Sequence, residues 1–386
     1  MRARDERVQA SIEEQGLEYL DPELQAYLDS VSAPLAAHAP GQDPRHFRIA
    51  ALRSPGVYAF SLQSGAIYLS AGELARVDDE AQLAFLIARE MSHLTFGHAR
   101  ERLIDQRNKV IAAKIAGAPL GPLSALTDLG FAAAMAANTL EQEREADRAG
   151  LEWIGRAGFT TTSAPHVFAA AIDSTDRSGG GVLSADPASD ARGRACVELV
   201  TTGAVAANSG GRNDAELMRR RFEKPSFDSV RLALQTEMYE LASSNAAHVR
   251  SHYGASALLL YYEGESLLRI AAAPKQVPLA FQARSMNRRD REAADARALK
   301  RLRAGEPAQL AEAEGDFRRA LELDPTHGPS RRGLGEALFL EGKLAAAEAA
   351  LTQYLTANPE APDARLVEGF LKRIRASAAS AQETSP

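Results

Sequence analysis

Cysteine is nearly absent: Cys196 is the only one in 386 residues, which excludes an intrachain disulfide and any zinc site built from thiolates. A chain without disulfides tolerates either redox environment, so the scarcity assigns no compartment. Cys196 has no neighbouring histidine and reads as a buried or incidental thiol rather than a nucleophile. Long hydrophobic runs are missing as well. The most apolar stretch, Val110 to Leu140, is interrupted by Lys114, Pro119, Pro122 and Asp128, short of the ~18 uninterrupted apolar residues a membrane-spanning helix needs. Met1 to Ile12 is charged and lacks an apolar centre, so no signal peptide is expected there and the chain reads as soluble. A strong charge of one sign is also lacking. The 45 Lys+Arg and 51 Asp+Glu leave a formal charge of −6, a mild acidity that argues against a general nucleic-acid binder.

What is present is ordinary globular material, 45% hydrophobic and 25% charged, in a chain long enough for two or three units. Residues 1–45 read as a helical lead-in, with Leu17, Leu20, Leu24, Tyr27 and Leu28 at helical spacing. Short β-type runs follow at Phe47 to Leu52, Val57 to Phe60 and Ala66 to Leu69, separated by the turn signals Ser54-Pro55-Gly56 and Ser64-Gly65. Asp78-Asp79 then starts a helix carrying Leu83, Leu86, Ile87, Met91 and Leu94. Further helices are expected from about Asp105 to Asn138 and from Leu140 through Trp153 to Gly158. Residues 174–214, rich in Gly, Ser, Asp and Ala, read as a mobile insertion with one short helix around Cys196 to Val200.

The tail repeats itself. Ala313, Phe317, Ala320 and Pro325 recur 34 positions later as Ala347, Leu351, Tyr354 and Pro359, the period of tetratricopeptide helix pairs. Residues 246–275 read as an earlier, degenerate helical pair. The expected layout is therefore a lead-in over 1–45, a main domain over 46–245, helical repeats over 246–378 and a disordered end over 379–386.

The segment Arg89-Glu90-Met91-Ser92-His93 lies on the expected helix after Asp79. A His-Glu-x-x-His helix sets two imidazoles one turn apart for zinc, with the glutamate beside the metal-bound water as general base. Here the first position is Arg89, and a protonated guanidinium has no lone pair to offer a metal. Glu-x-x-His alone recurs by chance, so its surroundings carry the weight. Upstream stand Ala59-Phe60, Gly65-Ala66-Ile67-Tyr68-Leu69 and Gly72-Glu73-Leu74. Downstream come Gly97-His98, Glu143-Arg144-Glu145-Ala146-Asp147 and Ala157-Gly158-Phe159.

This ordered set resembles the zinc metallopeptidases of family forty-eight. That family includes CAAX prenyl endopeptidases, heat-shock membrane proteases and a periplasmic β-barrel-assembly protease with tetratricopeptide repeats. The resemblance implies an α+β, mostly helical, zincin-like domain with a small β-sheet, followed by an α-helical solenoid. It implies Glu90 at the general-base position, His93 and Glu143 at zinc-ligand positions, and Asp147 as the acid supporting them, with Arg89 at the lost ligand position. It also suggests substrate contacts at Tyr58, Ala59 and Phe60 on an edge strand. His98, five residues beyond His93, falls roughly 140° further round an ideal helix and does not restore the set. Lys224-Pro225 ahead of Arg231 stands where relatives carry a His-Pro pair, a second cationic replacement.

Two hypotheses follow. In one, the protein is a catalytically impaired pseudopeptidase, a chaperone-like scaffold binding a protein or peptide through its repeats and edge strand, in the cell envelope by family analogy, with zinc absent or weakly bound. Arg89 would then occupy the metal's space and pair with Glu90 or Glu143. In the other, it is an active zinc endopeptidase with a non-standard site. His38, His46, His166 and His327 are scattered, and His248 and His252, one helical turn apart, have no acidic partner nearby in sequence.

Overall fold

The computed structural model describes residues 2–41, 47–98, 139–168, 189–272 and 307–383. It falls into two compact units, Met1–His252 and Tyr253–Pro386. The helix expected at Asp105 to Asn138 and the first part of the expected insertion, 174–188, lie outside the described residues.

In the first unit, α1 (Arg2–Glu14) and α2 (Pro22–Ala36) flank a break at Gly16, whose φ of 60° ends helical geometry. The continuous helical spacing through Leu17 and Leu20 is thus only apparent, and Leu20 is 93% exposed. Asp21 restarts the chain as an N-cap, accepting from the backbone N–H groups of Glu23 and Leu24. The strands are β1 (Arg48–Leu52), β2 (Ala59–Ser61) and β3 (Ala66–Ser70), in spatial order β1-β3-β2. β3 pairs parallel with β1 and antiparallel with β2. Alternation along the strands splits the core in two. Ile49, Ala51, Ile67 and Leu69 join the large cluster with α2. Ala50, Leu52, Phe60 and Tyr68 pack with Val8 and Ile12 of α1. With both faces covered, every residue of β3 is buried. The helical lead-in expected over 1–45 thus contains α1 and α2, each of which closes one face of the sheet.

The short α3 (Ala71–Leu74) leads to α4 (Glu80–Phe96), capped by Asp79, whose side chain accepts from the Gln82 N–H. Glu80, fully buried at its start, takes two guanidinium donors from Arg212 (2.9 and 2.6 Å) and one from the Tyr27 hydroxyl (3.2 Å). Next come α5 (Leu140–Arg156), opened by a Thr139/Gln142 capping box, and α6 (Ser189–Thr201). α7 (Ala215–Gln235) and α8 (Tyr239–Tyr253) complete this part. In 189–214, expected as part of a mobile insertion with one short helix around Cys196 to Val200, that helix is longer and packed against the core. α6 buries Arg192, Cys196 and Val200, and the following loop buries Val205, so small and polar composition there conceals a core element.

The second unit contains α9 (Ala257–Ala272), a helix over 307–323 (α10), α11 (Gly328–Leu340), α12 (Leu344–Ala357) and α13 (Ala364–Glu383). The repeat is visible in burial: Ala313, Phe317 and Ala320, and their counterparts Ala347, Leu351 and Tyr354, all point inward. Small residues set the spacing. A Cβ on Gly264 would lie 2.9 Å from the Phe317 ring, one on Gly333 2.4 Å from it, and one on Gly335 2.5 Å from Leu351. Two corrections arise here. The helical pair expected over 246–275 is divided, α8 belonging to the first unit up to His252 and α9 to the second. The end expected to be disordered from 379 stays helical to Glu383, as its alanine-rich sequence favours.

Candidate functional site

The site is built on two helices packed side by side. α4 presents Arg89, Glu90 and His93; α5 presents Glu143 and Asp147 one turn apart. Close approach is allowed by Gly150, where an added Cβ would sit 3.1 Å from both Arg89 Cγ and the Phe85 ring. Ser92 Oγ donates to the Arg89 carbonyl at 2.7 Å.

Arg89 crosses the gap between the helices. Its Nη2 donates to Glu143 Oε2 at 2.7 Å, and its Nε lies 2.7 Å from Asp147 Oδ1. The guanidinium carbon is 5.9 Å from the Phe85 ring centre and 5.6 Å from that of Phe168, within cation–π range. His93 Nε2 faces Glu143 Oε1 at 3.5 Å. Glu90 is buried beside them. The structure therefore brings together Arg89, His93, Glu143 and Asp147, with Glu90 next to Arg89 on α4, and the partners of Arg89 include Asp147 as well as the expected Glu143.

Arg192 was missed. Fully buried on α6, it grips Asp147 with Nε to Oδ2 at 2.8 Å and Nη2 to Oδ1 at 2.6 Å, and its Nη2 lies 2.7 Å from Glu143 Oε2. Two guanidinium groups thus share two carboxylates, an arrangement in which each buried charge has a hydrogen-bonded counter-charge. A signal existed: a proline shortly before an Arg-bearing helix occurs at Pro187 and Arg192 as well as at Pro225 and Arg231. Lys224 is exposed and Pro225 lies inside α7.

His98 also differs from expectation. α4 stops at Gly97, which adopts a left-handed φ of 79°, so the helical angle no longer applies. The chain folds back and puts His98 Nδ1 2.9 Å from His93 Nδ1, with His98 Nε2 3.1 Å from Glu145 Oε2. Cys196, near this cluster on α6, is buried, and loss of solvation with the Asp147 charge pushes its thiol up to about 12. A thiol held protonated is no nucleophile.

Tyr58 and Phe60 are core residues, 5% and 3% exposed, and the Phe60 ring stacks on Tyr68 at 5.1 Å. Their side chains are withdrawn from solvent. The backbone is another matter. Tyr58 and Leu62 bond to Ser70 and Ala66, and Phe60 is opposite Tyr68. Alternation therefore turns the backbone groups of Ala59 and Ser61 away from β3. Among the described residues no further strand pairs with β2. Elsewhere, His252 finds the acidic partner that its neighbourhood in sequence lacks, with Nε2 2.8 Å from Asp78 Oδ1.

This combination of a motif-bearing helix, a carboxylate-bearing helix and a small mixed sheet followed by paired helices defines a metallopeptidase-type domain with a repeat tail. The model of peptidase family M48 matches residues 22–200 and a tetratricopeptide-repeat model matches residues 296–368. The chain thus carries a peptidase M48 family domain followed by tetratricopeptide repeats. It is similar to the beta-barrel assembly-enhancing protease of Escherichia coli (strain K12), 29% identical over 157 residues, 38% of this chain and 32% of that protein. The putative beta-barrel assembly-enhancing protease of Vibrio cholerae is 29% identical over 165 residues, 40% and 34% of the two chains. That of Yersinia pestis is 26% identical over 158 residues, 38% and 32%. The matched part spans about a third of the length of these curated relatives.

Family M48 is generally zinc-dependent, and the donors here do not fit a zinc site of three protein ligands. Arg89 has nothing to donate to a metal, and its head already engages Glu143, whose other oxygen faces His93. Among the described residues no group of three or more His, Cys, Asp or Glu side chains is arranged to hold a metal ion.

Proposed function

We propose that this protein is a pseudopeptidase: a peptidase-fold scaffold that binds a protein partner and does not cleave it. The observation carrying this reading is the Arg89 guanidinium, paired with Glu143 and Asp147 at the position where the motif requires an imidazole. Without a metal-activated water, Glu90 has no nucleophile to deprotonate. Two features suit partner binding. The backbone of part-exposed Ala59 turns away from β3 and is the point at which an extended chain would pair, and the repeat unit offers a stacked helical surface. By likeness to relatives named for β-barrel assembly, the proposed setting is the cell envelope and the proposed partner a polypeptide awaiting assembly. Among the described residues no helix is long and apolar enough to cross a membrane.

A second reading, an active zinc endopeptidase with a non-standard site, draws on the 3.5 Å between His93 Nε2 and Glu143 Oε1, close to the separation of two ligands on one tetrahedral zinc. Metal content and casein cleavage separate the two. The scaffold reading expects purified protein with substoichiometric zinc and no cleavage. Stoichiometric zinc that disappears in His93→Ala, together with casein cleavage, would establish the enzyme instead.

A further inference from the structure

We propose that Arg89 replaces an imidazole and its metal at once, so that the M48-type fold is complete without zinc; this rests on the reading of the cleft as metal-free. In a zinc-loaded site of this design, the residue at position 89 would face two neighbours. Its ring would meet the supporting carboxylate of Asp147, and its metal would neutralise Glu143. Arg89 touches the same two carboxylates with one side chain, Nε at Asp147 and Nη2 at Glu143, each at 2.7 Å. The planar fork of a guanidinium allows this two-point contact; an ammonium is a single point.

The surroundings are shaped for that side chain. Gly150 leaves room for its stem, with a virtual Cβ only 3.1 Å from Arg89 Cγ. Phe85 and Phe168 flank its head, and the side chain is 12% exposed. Glu143 and Asp147 are less exposed still, at 10% and 3%. Carboxylates so withdrawn from water need a cation at hand. Arg192 supplies part of it from α6, but among the described residues only Arg89 ties α4 to α5 through both acids. The arginine is therefore a structural cross-link between the two site helices, present from the moment the chain folds.

The test is thermal unfolding of the full chain, each protein measured with EDTA and with added zinc chloride. The wild-type melting temperature is expected to stay within about 1 °C in both. Arg89→Ala should lower it by roughly 5–15 °C, the scale of stranding a buried carboxylate, and Arg89→Lys should recover only part of that. Arg89→His should be destabilised in EDTA and regain several degrees with zinc. A wild-type protein that loses stability in EDTA overturns the proposal, as does an unchanged Arg89→Ala or an Arg89→His indifferent to zinc. Wild-type cleavage of casein with a melting temperature unmoved by EDTA would instead remove the scaffold reading and leave the role of Arg89 intact.

Discussion

Arg192 and Asp147 form the most enclosed charge pair of the site, a two-point contact at 2.8 and 2.6 Å with Arg192 fully buried. Removing one partner of such a pair leaves the other without a counter-charge in a medium that solvates it poorly. Asp147→Asn keeps the shape and deletes the charge. It should cost about 3–5 kcal/mol, read as a lower urea midpoint with an unchanged slope; a loss below about 1 kcal/mol would mean that water reaches the pair. At this scale the sequence was legible where spacing alone decides geometry. Glu143 and Asp147 share a face of α5 because four residues make about one helical turn, whereas their meeting with Arg89 and His93 follows from the packing of α4 on α5 and was implied only by the family resemblance. Arg192 had only the weak signal of a preceding proline, since its place follows from how α6 docks, with its guanidinium over the Phe168 ring. His98 was misplaced because the ideal helix was extended past Gly97, where the backbone leaves helical geometry.

At the scale of elements, the repeat unit depends on glycine where two helices meet one ring. Phe317 lies against Gly264 of α9 on one side and Gly333 of α11 on the other. Gly333→Ala would place a methyl 2.4 Å from that ring, closer than any relaxed contact. The gain in helix propensity, about 1 kcal/mol, should be outweighed by overpacking of about 1–3 kcal/mol. Gly315→Ala meets nothing within 4 Å and should be neutral or stabilising, so chemical denaturation of the pair measures packing with propensity held equal. The 34-residue period made this register readable, because a repeated pattern encodes repeated contacts. The small sheet was readable from alternation, but its order was not. β3 inserts between β1 and β2, a matter of which edges remain free after hairpin formation rather than of local pattern. Within the helical lead-in the break was not readable for the opposite reason: Leu17 and Leu20 keep helical spacing with Leu24, while the backbone is helical again only from Pro22.

Across the whole molecule, the two units carry titrating groups with different acid thresholds. In the repeat unit, His327 caps α11 by accepting the Ser330 N–H on Nδ1. Burial lowers its affinity for protons below the ordinary 6.5, partly offset by Asp324. A histidine that is harder to protonate when folded contributes stability above its unfolded value and loses it as pH falls below 6.5 towards the folded value. In the peptidase-type unit, Asp78 is held below its ordinary 3.8, first by its hydrogen bond from His252. A depressed carboxyl contributes stability above 3.8 and loses it only as pH falls through its lower folded value. Loss of stability on acidification should therefore begin in the repeat unit, as pH falls below 6.5. His327→Asn, which retains a capping acceptor without a titrating ring, should flatten that first step and leave the later one in place. Hydrogen exchange resolved by segment along a pH series would read both; a single transition unmoved by His327→Asn would refute the assignment.

The three-residue length of β2 sets a limit on grip. Only Ala59 and Ser61 turn their backbone outward, so an added strand gains at most two donors and two acceptors. At about 0.5–1.5 kcal/mol net for each bond, the four together gain about 2–6 kcal/mol, little or no more than is lost when two bodies join, so such a contact by itself is weaker than millimolar. It is also blind to sequence, since main chain meets main chain. Tight capture of a client would require avidity, with a second stretch of the same chain held by the repeats so that local concentration does what the short edge cannot.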